Sequence, residues 1–375
     1  MTDIETRLDR VIDEAIADNR IVGAVVLVQR HGSPVYARAV GFAEREAGRE
    51  MREDAIFRLA SLSKPLAAAT ALAMIERGTL GLDADITEWL PDFRPRLADG
   101  RTPQITIRHL MTHTSGLGYA TGVPDDPYIK ARISGGLEQP GLSMEENLRR
   151  TASVRLFAEP GSAWRYGVSI DVLGAIVAKA YGGTFGEAVA ELVTGPLSMP
   201  DTGFIVTDPR RLAAAYADGE AGAVLMGDPH TIAVGPGKGL RFAQSRIFNP
   251  ESFQSGGAGM AGTAPDFLRF LEAIRIGGVP ILKQETVDLA LANHVGTLRD
   301  ELEPGAGFGL MSAIVSDPGR TARPHSPGTA HWGGVYGHTW FIDREAGLSV
   351  VSLTNTAVEG CLGQFREDLV SAVYG

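Results

Sequence analysis

Ser61-Leu62-Ser63-Lys64 sets a hydroxyl and an amine three residues apart. Positions i and i+3 share a helix face, so the spacing predicts the Ser61 hydroxyl beside the Lys64 amine. A serine becomes a nucleophile only with a neighbouring base. Lysine serves as that base once its pKa falls well below its free value of about 10.4. Burial at the head of an apolar helix, near helix N–H dipoles, lowers it. The Ser61 N–H, at a helix start, can also point at a developing oxyanion. Ser-x-x-Lys by itself reads more readily as an N-cap serine and a surface lysine, and only the buried helix behind it brings the two readings level.

Two further clusters carry possible chemistry. Trp164-Arg165-Tyr166-Gly167-Val168-Ser169-Ile170-Asp171 stands just before a helical segment. A tyrosine at such a junction can project its hydroxyl into a cleft, where a nearby ammonium favours phenolate, a usable base. The plain alternative is a boundary tyrosine packing its ring. His331-Trp332-Gly333-Gly334-Val335-Tyr336-Gly337-His338 places paired glycines in a strand-like run. Such glycines mark close approach of another backbone or a ligand. An exposed edge there would offer the Val335 N–H to a substrate carbonyl; a bulge or turn is the plain alternative.

Elements must position these residues. Ser61 to Arg77 reads as a helix, with Ser61 as its cap, Pro65 in its first turns and Gly78 at its end. From Leu66 to Ile75 it is apolar on nearly every side, and a helix without a wet face is buried. Asp3 to Asp18 has the spacing of an amphipathic helix. Ile21 to Val28 and Val35 to Phe42 read as a hairpin around His31-Gly32. Ser143 to Ala152, with a capping-box spacing, Ile170 to Tyr181, Pro265 to Ile276 and Gly363 to Val373 read as helices. His331 to Asp343 and Leu348 to Thr354 read as strands joined by a turn. Strand signals lie at both ends of the chain with helical matter between. The economical fold is α/β of the α+β type: one antiparallel sheet built from both ends, flanked by helices, with a mainly helical domain inserted. The expected division is 1–82 with 240–375 for the sheet domain and 83–239 for the helical one, the site lying between them.

Composition excludes other classes. The 375 residues allow two or three domains. With 44% apolar and 21% charged residues the chain is too apolar for disorder. Its net charge of −10 argues against a nucleic-acid surface. The single cysteine, Cys361, permits no intrachain disulfide and no cysteine-based zinc site. The longest strongly apolar uncharged run, Pro65 to Ile75, is eleven residues, whereas a membrane span needs about twenty. The opening residues carry no signal-peptide pattern, so a cytoplasmic protein is expected.

Taken together, the three clusters resemble the serine β-lactamase and penicillin-binding superfamily, class C-like, and within it the family VIII carboxylesterases. Ser61-Leu62-Ser63-Lys64 matches that family's Ser-x-x-Lys. Tyr166-Gly167-Val168 stands where class C enzymes carry Tyr-x-Asn, and Trp332-Gly333-Gly334 where they carry Lys-Thr-Gly. Leu110-Met111-Thr112-His113-Thr114-Ser115-Gly116-Leu117 and Gly81-Leu82-Asp83 also look like the family. Order and spacing agree from about residue 20 to the end.

The resemblance implies a β-lactamase/transpeptidase-like fold and hydrolysis of short-chain or small-acid carboxylic esters through an acyl-enzyme. Ser61, Lys64 and Tyr166 would be catalytic, and the N–H groups of Ser61 and Val335 would form the oxyanion hole. Trp332, Gly333 and Gly334 would bind substrate, and water activated by the Tyr166–Lys64 pair would release the acid. No metal or cofactor is expected. The expected partner is a small ester, with no nucleic acid and no membrane; oligomeric state stays open. Two departures matter. Val168 lacks the amide of the motif's asparagine, and Trp332 replaces a cation that helps lactamases hold a carboxylate. Both favour a neutral ester over a penicillin. A β-lactamase or D-amino-acid peptidase, and an acyltransferase, are the alternatives on the same scaffold; a binding protein that keeps the fold is the non-enzymatic one.

Other motifs weigh less. Gly257-Ala258-Gly259-Met260-Ala261-Gly262 fits a dinucleotide fingerprint, but no buried strand precedes it. His109 and His113 lack the glutamate of a metalloprotease helix, and local hydrogen bonds are expected of His113. Gly235-Pro236-Gly237-Lys238-Gly239 lacks the form of a phosphate loop and reads as a flexible segment. No Gly-x-Ser-x-Gly occurs. His338 is read as either cleft-facing or structural. Trp164 and Trp340 are candidates for a pocket wall. Pocket size is expected to depend on Gly116 to Gly141 and on Gly235 to Arg246.

Overall fold

A computed structural model describes residues 3–120, 123, 125–219, 222–235 and 238–375. Helix α1 (Asp3–Ala17) buries Ile4, Leu8, Val11, Ile12 and Ala15, the stripe expected of it. Strands β1 (Gly23–Arg30) and β2 (Ser33–Glu44) follow as a hairpin. His31 and Gly32 at its tip both have positive φ, as a two-residue turn that follows strand twist requires. A short β3 (Arg49–Glu50) closes this edge. The buried helix α2 (Ser63–Glu76) comes next. The middle of the chain holds α3 (Ile107–Met111), α4 (Met144–Ala152) and α5 (Ser169–Tyr181), among shorter turns. Helix α6 (Ala264–Arg275) leads to β4 (Ala306–Phe308), β5 (Ala313–Val315), β6 (Ala330–Gly334), β7 (His338–Asp343) and β8 (Leu348–Thr354). The chain ends in α7 (Gln364–Tyr374).

The strands form one sheet in the order β4-β5-β6-β7-β8-β1-β2-β3. Its two ends meet at the antiparallel β8–β1 pair, with Ala24 opposite Thr354 and Arg30 opposite Leu348. Alternation along β1 sends Val26 and Val28 toward α1 and α7, and Val25 and Leu27 toward α2 and α6. Helix α2 is buried from Ser63 through Met74. Each fully covered leucine in it, such as Leu66 and Leu72, stabilises the fold by about 1.5–3 kcal/mol. Among the described residues no helix is long and apolar enough to cross a membrane.

The structure departs from the sequence reading at the two places that matter for the site. Ser61 does not cap α2. Ala60–Leu62 form a 3-10 turn, α2 starts at Ser63, and its N-cap Leu62 makes no side-chain cap. Ala60 has φ 46°, a left-handed conformation uncommon for a residue with a Cβ. This sharp turn frees the Ser61 hydroxyl from capping. The run from His331 to Asp343 is two strands, β6 and β7, broken at Val335–Gly337. Gly337 has φ 111°, and a Cβ on it would lie 2.2 Å from Thr354 Oγ1.

Candidate active site

Ser61 stands over the head of α2, and Lys64 lies one turn further in. Lys64 Nζ donates to Ser61 Oγ at 3.1 Å, so the i, i+3 expectation is met although the helix begins later. The same ammonium nitrogen reaches the Gly257 carbonyl at 2.7 Å and the Tyr119 hydroxyl at 3.1 Å. It stands 4.6 Å from the centre of the Tyr166 ring. Among the described residues no carboxylate touches it. Burial therefore pushes the Lys64 pKa down to about 7, only partly opposed by the more distant negative charge of Asp171. A lysine in this state is a base at neutral pH.

Tyr166 comes from the loop before α5, as expected, and packs among His113, Trp164, Tyr119 and Trp332. Its hydroxyl accepts from Trp332 Nε1 at 3.1 Å. Here the phenolate expectation is corrected. Burial raises the Tyr166 pKa above its ordinary value, against the pull of its hydrogen-bond partners Ser61 and Trp332. Tyr166 rests as a phenol, a proton donor.

The edge of β6 closes the other side. Strand β5 pairs with β6 only at His331 and Ala330, leaving the Trp332–Gly334 edge without a strand partner there. A Cβ on Gly334 would meet the Leu59 carbonyl at 2.6 Å, and one on Gly333 the Cys361 sulfur at 2.8 Å. The paired glycines thus admit close backbone approach. Among the described residues, neither the Ser61 N–H nor the Val335 N–H finds a backbone acceptor. Ser61, Tyr166, Trp332, Gly333 and Val335 all line one cavity of about 1340 Å³. Tyr119, Tyr128, Ile133 and Leu142, with Asp228, Leu240 and Ser245, supply part of its wall. Leu240 belongs to the hairpin His230–Gly235/Lys238–Phe242. Pro236 and Gly237 of the glycine-rich decoy lie outside the described residues.

Four functional features escaped the sequence reading. Tyr119 gives Lys64 a hydroxyl partner that no spacing announces. Gly257, set aside within a failed dinucleotide motif, accepts from Lys64 and donates its N–H to Asp171 Oδ1 at 3.2 Å. Asp171 is almost fully buried, is also hydrogen-bonded by Ser255, and through the Gly257 peptide bears on the lysine. These contacts stand where Val168, buried in the core, offers no amide. The fourth is Arg299, whose guanidinium lies 5.4 Å from the Trp332 ring and 5.0 Å from the Trp164 ring and pairs with Glu303 at 2.6 Å. The wall formed by Trp332 is apolar, yet the Arg299 guanidinium stands behind it.

The remaining histidines fall outside the chemistry. His338 donates from Nε2 to the Arg58 carbonyl oxygen at 2.9 Å. A carbonyl oxygen accepts, so Nε2 carries the proton. His109 accepts from the Thr106 N–H in a capping box. His113 packs its ring against Tyr166; its backbone N–H makes the local bond expected, to the Leu110 carbonyl at 3.3 Å, while its Nδ1 has no partner among the described residues. Trp164 lines the cavity, whereas Trp340 is buried against Phe267.

The family model described as Beta-lactamase matches residues 8–372. Esterase EstB from Burkholderia gladioli is 48% identical over 374 residues, covering 99% of this chain and 95% of that protein. The solved structure of EstCE1, titled a hydrolase with promiscuous acyltransferase activity, superposes with a TM-score of 0.96 at 43% identity and covers 100% of this chain and 99% of its own. Monacolin J acid methylbutanoyltransferase from Aspergillus terreus is 25% identical over 388 residues, covering 92% of this chain and 89% of that protein.

Proposed function

This chain belongs to the Beta-lactamase family, has its β-lactamase/transpeptidase-like fold and is a serine ester hydrolase, and we propose that Ser61 is the nucleophile of its acyl-enzyme. The observation that carries the assignment is the Lys64 amine, 3.1 Å from the Ser61 hydroxyl and discharged near neutral pH by burial. Lys64 takes the Ser61 proton as Oγ bonds to the ester carbonyl carbon. The N–H groups of Ser61 and Val335 receive the oxyanion, each worth about 3–4 kcal/mol in the transition state. As the tetrahedral adduct collapses, the Tyr166 phenol protonates the departing alkoxide. The products are the alcohol, acyl-Ser61, a Lys64 ammonium and a Tyr166 phenolate. Water then attacks the acyl carbon and gives a proton to that phenolate. Lys64 returns its proton to Ser61 Oγ as the acid leaves. Trp332, Gly333 and Gly334 shape the floor on which the ester lies.

The same reading places the cleft between a sheet domain (1–82 with 240–375) and a mainly helical one (83–239). It takes a small ester as the substrate and the cytoplasm as the compartment, in keeping with a single cysteine. Acyl transfer is a second reading, favoured by the roomy cavity and by the transferase among the similar proteins; an added alcohol competing with water for the acyl group would reveal it as a new ester product.

A fluorophosphonate label followed by mass spectrometry should mark Ser61, and Ser61→Ala should lose about ten-thousand-fold or more of its p-nitrophenyl ester turnover while keeping its fold. Wild-type turnover in Ser61→Ala would overturn the assignment. Nitrocefin cleaved faster than the ester would favour the lactamase alternative.

A further inference from the structure

Arg299 is a buried guanidinium with few polar partners of its own. Its Nη2 donates to Glu303 at 2.6 Å, and its Nη1 reaches the Gly307 carbonyl only at 3.5 Å. Its Nε has no partner among the described residues. Aromatic faces take up the rest. The guanidinium carbon lies 5.0 Å from the centre of the Trp164 ring, 5.4 Å from that of Trp332 and 6.0 Å from that of Phe308. These are cation–π distances, and such contacts strengthen where water is excluded. A buried ion pair often adds no more stability than apolar side chains of the same volume. What distinguishes Arg299 is the rings it touches.

Two of those rings touch the reacting tyrosine. Trp164 stacks on Tyr166 at 6.2 Å with 14° between their planes, and Trp332 stands 5.1 Å from it. Trp332 also aims Nε1 at the Tyr166 hydroxyl, 3.1 Å away. An indole has that one N–H donor and no other, so the bond depends on how the whole ring is held. Gly333 and Gly334 follow Trp332 along the strand and offer no side chain to brace it. Phe308 meets its ring edge-on at 5.4 Å, and Arg299 supports it from a charged plane. Arg299 is anchored in turn. Glu303 also pairs with Arg323, which is gripped by both oxygens of Glu367 in α7.

We propose that Arg299 is a positioning residue for the proton-donating step, acting through Trp332 on Tyr166. This rests on the reading of Tyr166 as the acid that protonates the departing alkoxide. In that step the Tyr166 O–H bond breaks, its proton bonds to the leaving oxygen, and the electron pair stays on the phenolate oxygen. The Trp332 N–H then donates to an anion, and such a charge-assisted hydrogen bond is roughly twice as strong as a neutral one. A cation against the indole keeps Nε1 aimed at the phenolate. It also draws electron density from the ring, which makes the N–H a better donor. The benefit is greatest for a leaving group that cannot depart without a proton.

The test compares kcat/KM for two acetates of similar size, benzyl acetate and p-nitrophenyl acetate. Both give acetyl-Ser61, but benzyl alkoxide needs a proton to leave and p-nitrophenolate does not. Arg299→Met should lower benzyl acetate turnover about thirtyfold, the worth of one hydrogen bond to a charged group, and p-nitrophenyl acetate turnover far less. Trp332→Phe should show the same selectivity, and adding Arg299→Met to it should not lower the benzyl to p-nitrophenyl ratio further. A merely structural arginine would lower both esters alike; that result, or an unchanged ratio, would overturn the role of Arg299 and leave the hydrolase standing. An undiminished selective loss in the Trp332→Phe background would overturn the route through Trp332. If Arg299→Met does not fold, Arg299→Lys carries the test: its unforked head cannot hold Glu303 and cover both indoles, so the ratio should fall severalfold, and an unchanged ratio would overturn the proposal. Tyr166→Phe reads the premise separately. Equal loss on both esters there would remove Tyr166 as the acid, and the role of Arg299 with it.

Discussion

Lys64, behind Ser61, and Arg299, behind Trp332, are both basic side chains taken out of water beside one cavity, and they are treated in opposite ways. Lys64 is given neutral oxygens only: a serine hydroxyl, a tyrosine hydroxyl and a backbone carbonyl. Nothing there compensates a full charge, so burial removes it and the pKa drops to about 7. Arg299 is given a carboxylate at 2.6 Å and the faces of Trp164 and Trp332. Burial lowers its pKa too, but Glu303 opposes the shift, and a guanidinium starts so high that it stays charged. One site needs a group that can gain and lose a proton; the other needs a fixed charge that steadies aromatic rings. The partner set decides which results.

The comparison is most severely tested at Lys64 itself. Lys64→Arg puts a permanent cation where a discharged amine is required, and ester turnover should fall about a thousandfold or more, as in Lys64→Ala. Steady-state kinetics on a p-nitrophenyl ester measures it, and an active arginine variant would remove the base role. Stability should separate the two cations next. Arg299→Met loses the ion pair and the ring contacts while Glu303 keeps Arg323, for a cost of about 2 kcal/mol. Lys64→Met replaces a buried amine with an apolar chain and should leave stability unchanged or raise it. Urea unfolding of both variants reads the contrast, and equal losses would erase it.

The smallest effect concerns pH. Lys64 must be unprotonated to accept the Ser61 proton, so kcat/KM should rise with pH through about 7. It should not fall again in the mildly alkaline range, because burial keeps the Tyr166 phenol protonated there. The groups facing Lys64 are Ser61, Tyr119, Tyr166 and, at longer range, His113 and Asp171. Of these Asp171 favours the ammonium. Asp171→Asn keeps an acceptor for Ser255 and for the Gly257 N–H but removes that charge, and the acid limb should move to lower pH. An unmoved limb would mean that burial alone discharges the lysine.

Much of this was legible along the chain. The even apolar character of Leu66 to Ile75 announced a buried helix, and i, i+3 spacing announced the Ser61–Lys64 contact, because both follow from local helix geometry. Strand signals at both ends announced a sheet closed by its termini, and β8 does pair with β1. Tyr119, Asp171, Gly257 and Arg299 were not legible as a set, since they reach the site from four segments far apart in sequence. The left-handed turn at Ala60 was hidden too: a residue with a Cβ gives no sign that it will adopt one.

Residue order alone thus determined which side chains were available and which short-range pairs would meet: a serine over a lysine, a tyrosine before a helix, glycines that let a strand edge come close. Only the packed chain decided their protonation. A pKa depends on how much water is excluded and on which charges stand within a few ångströms, and both are set by segments brought together in space. That is why burial lowers the Lys64 pKa and raises that of Tyr166, and why a guanidinium stands behind Trp332.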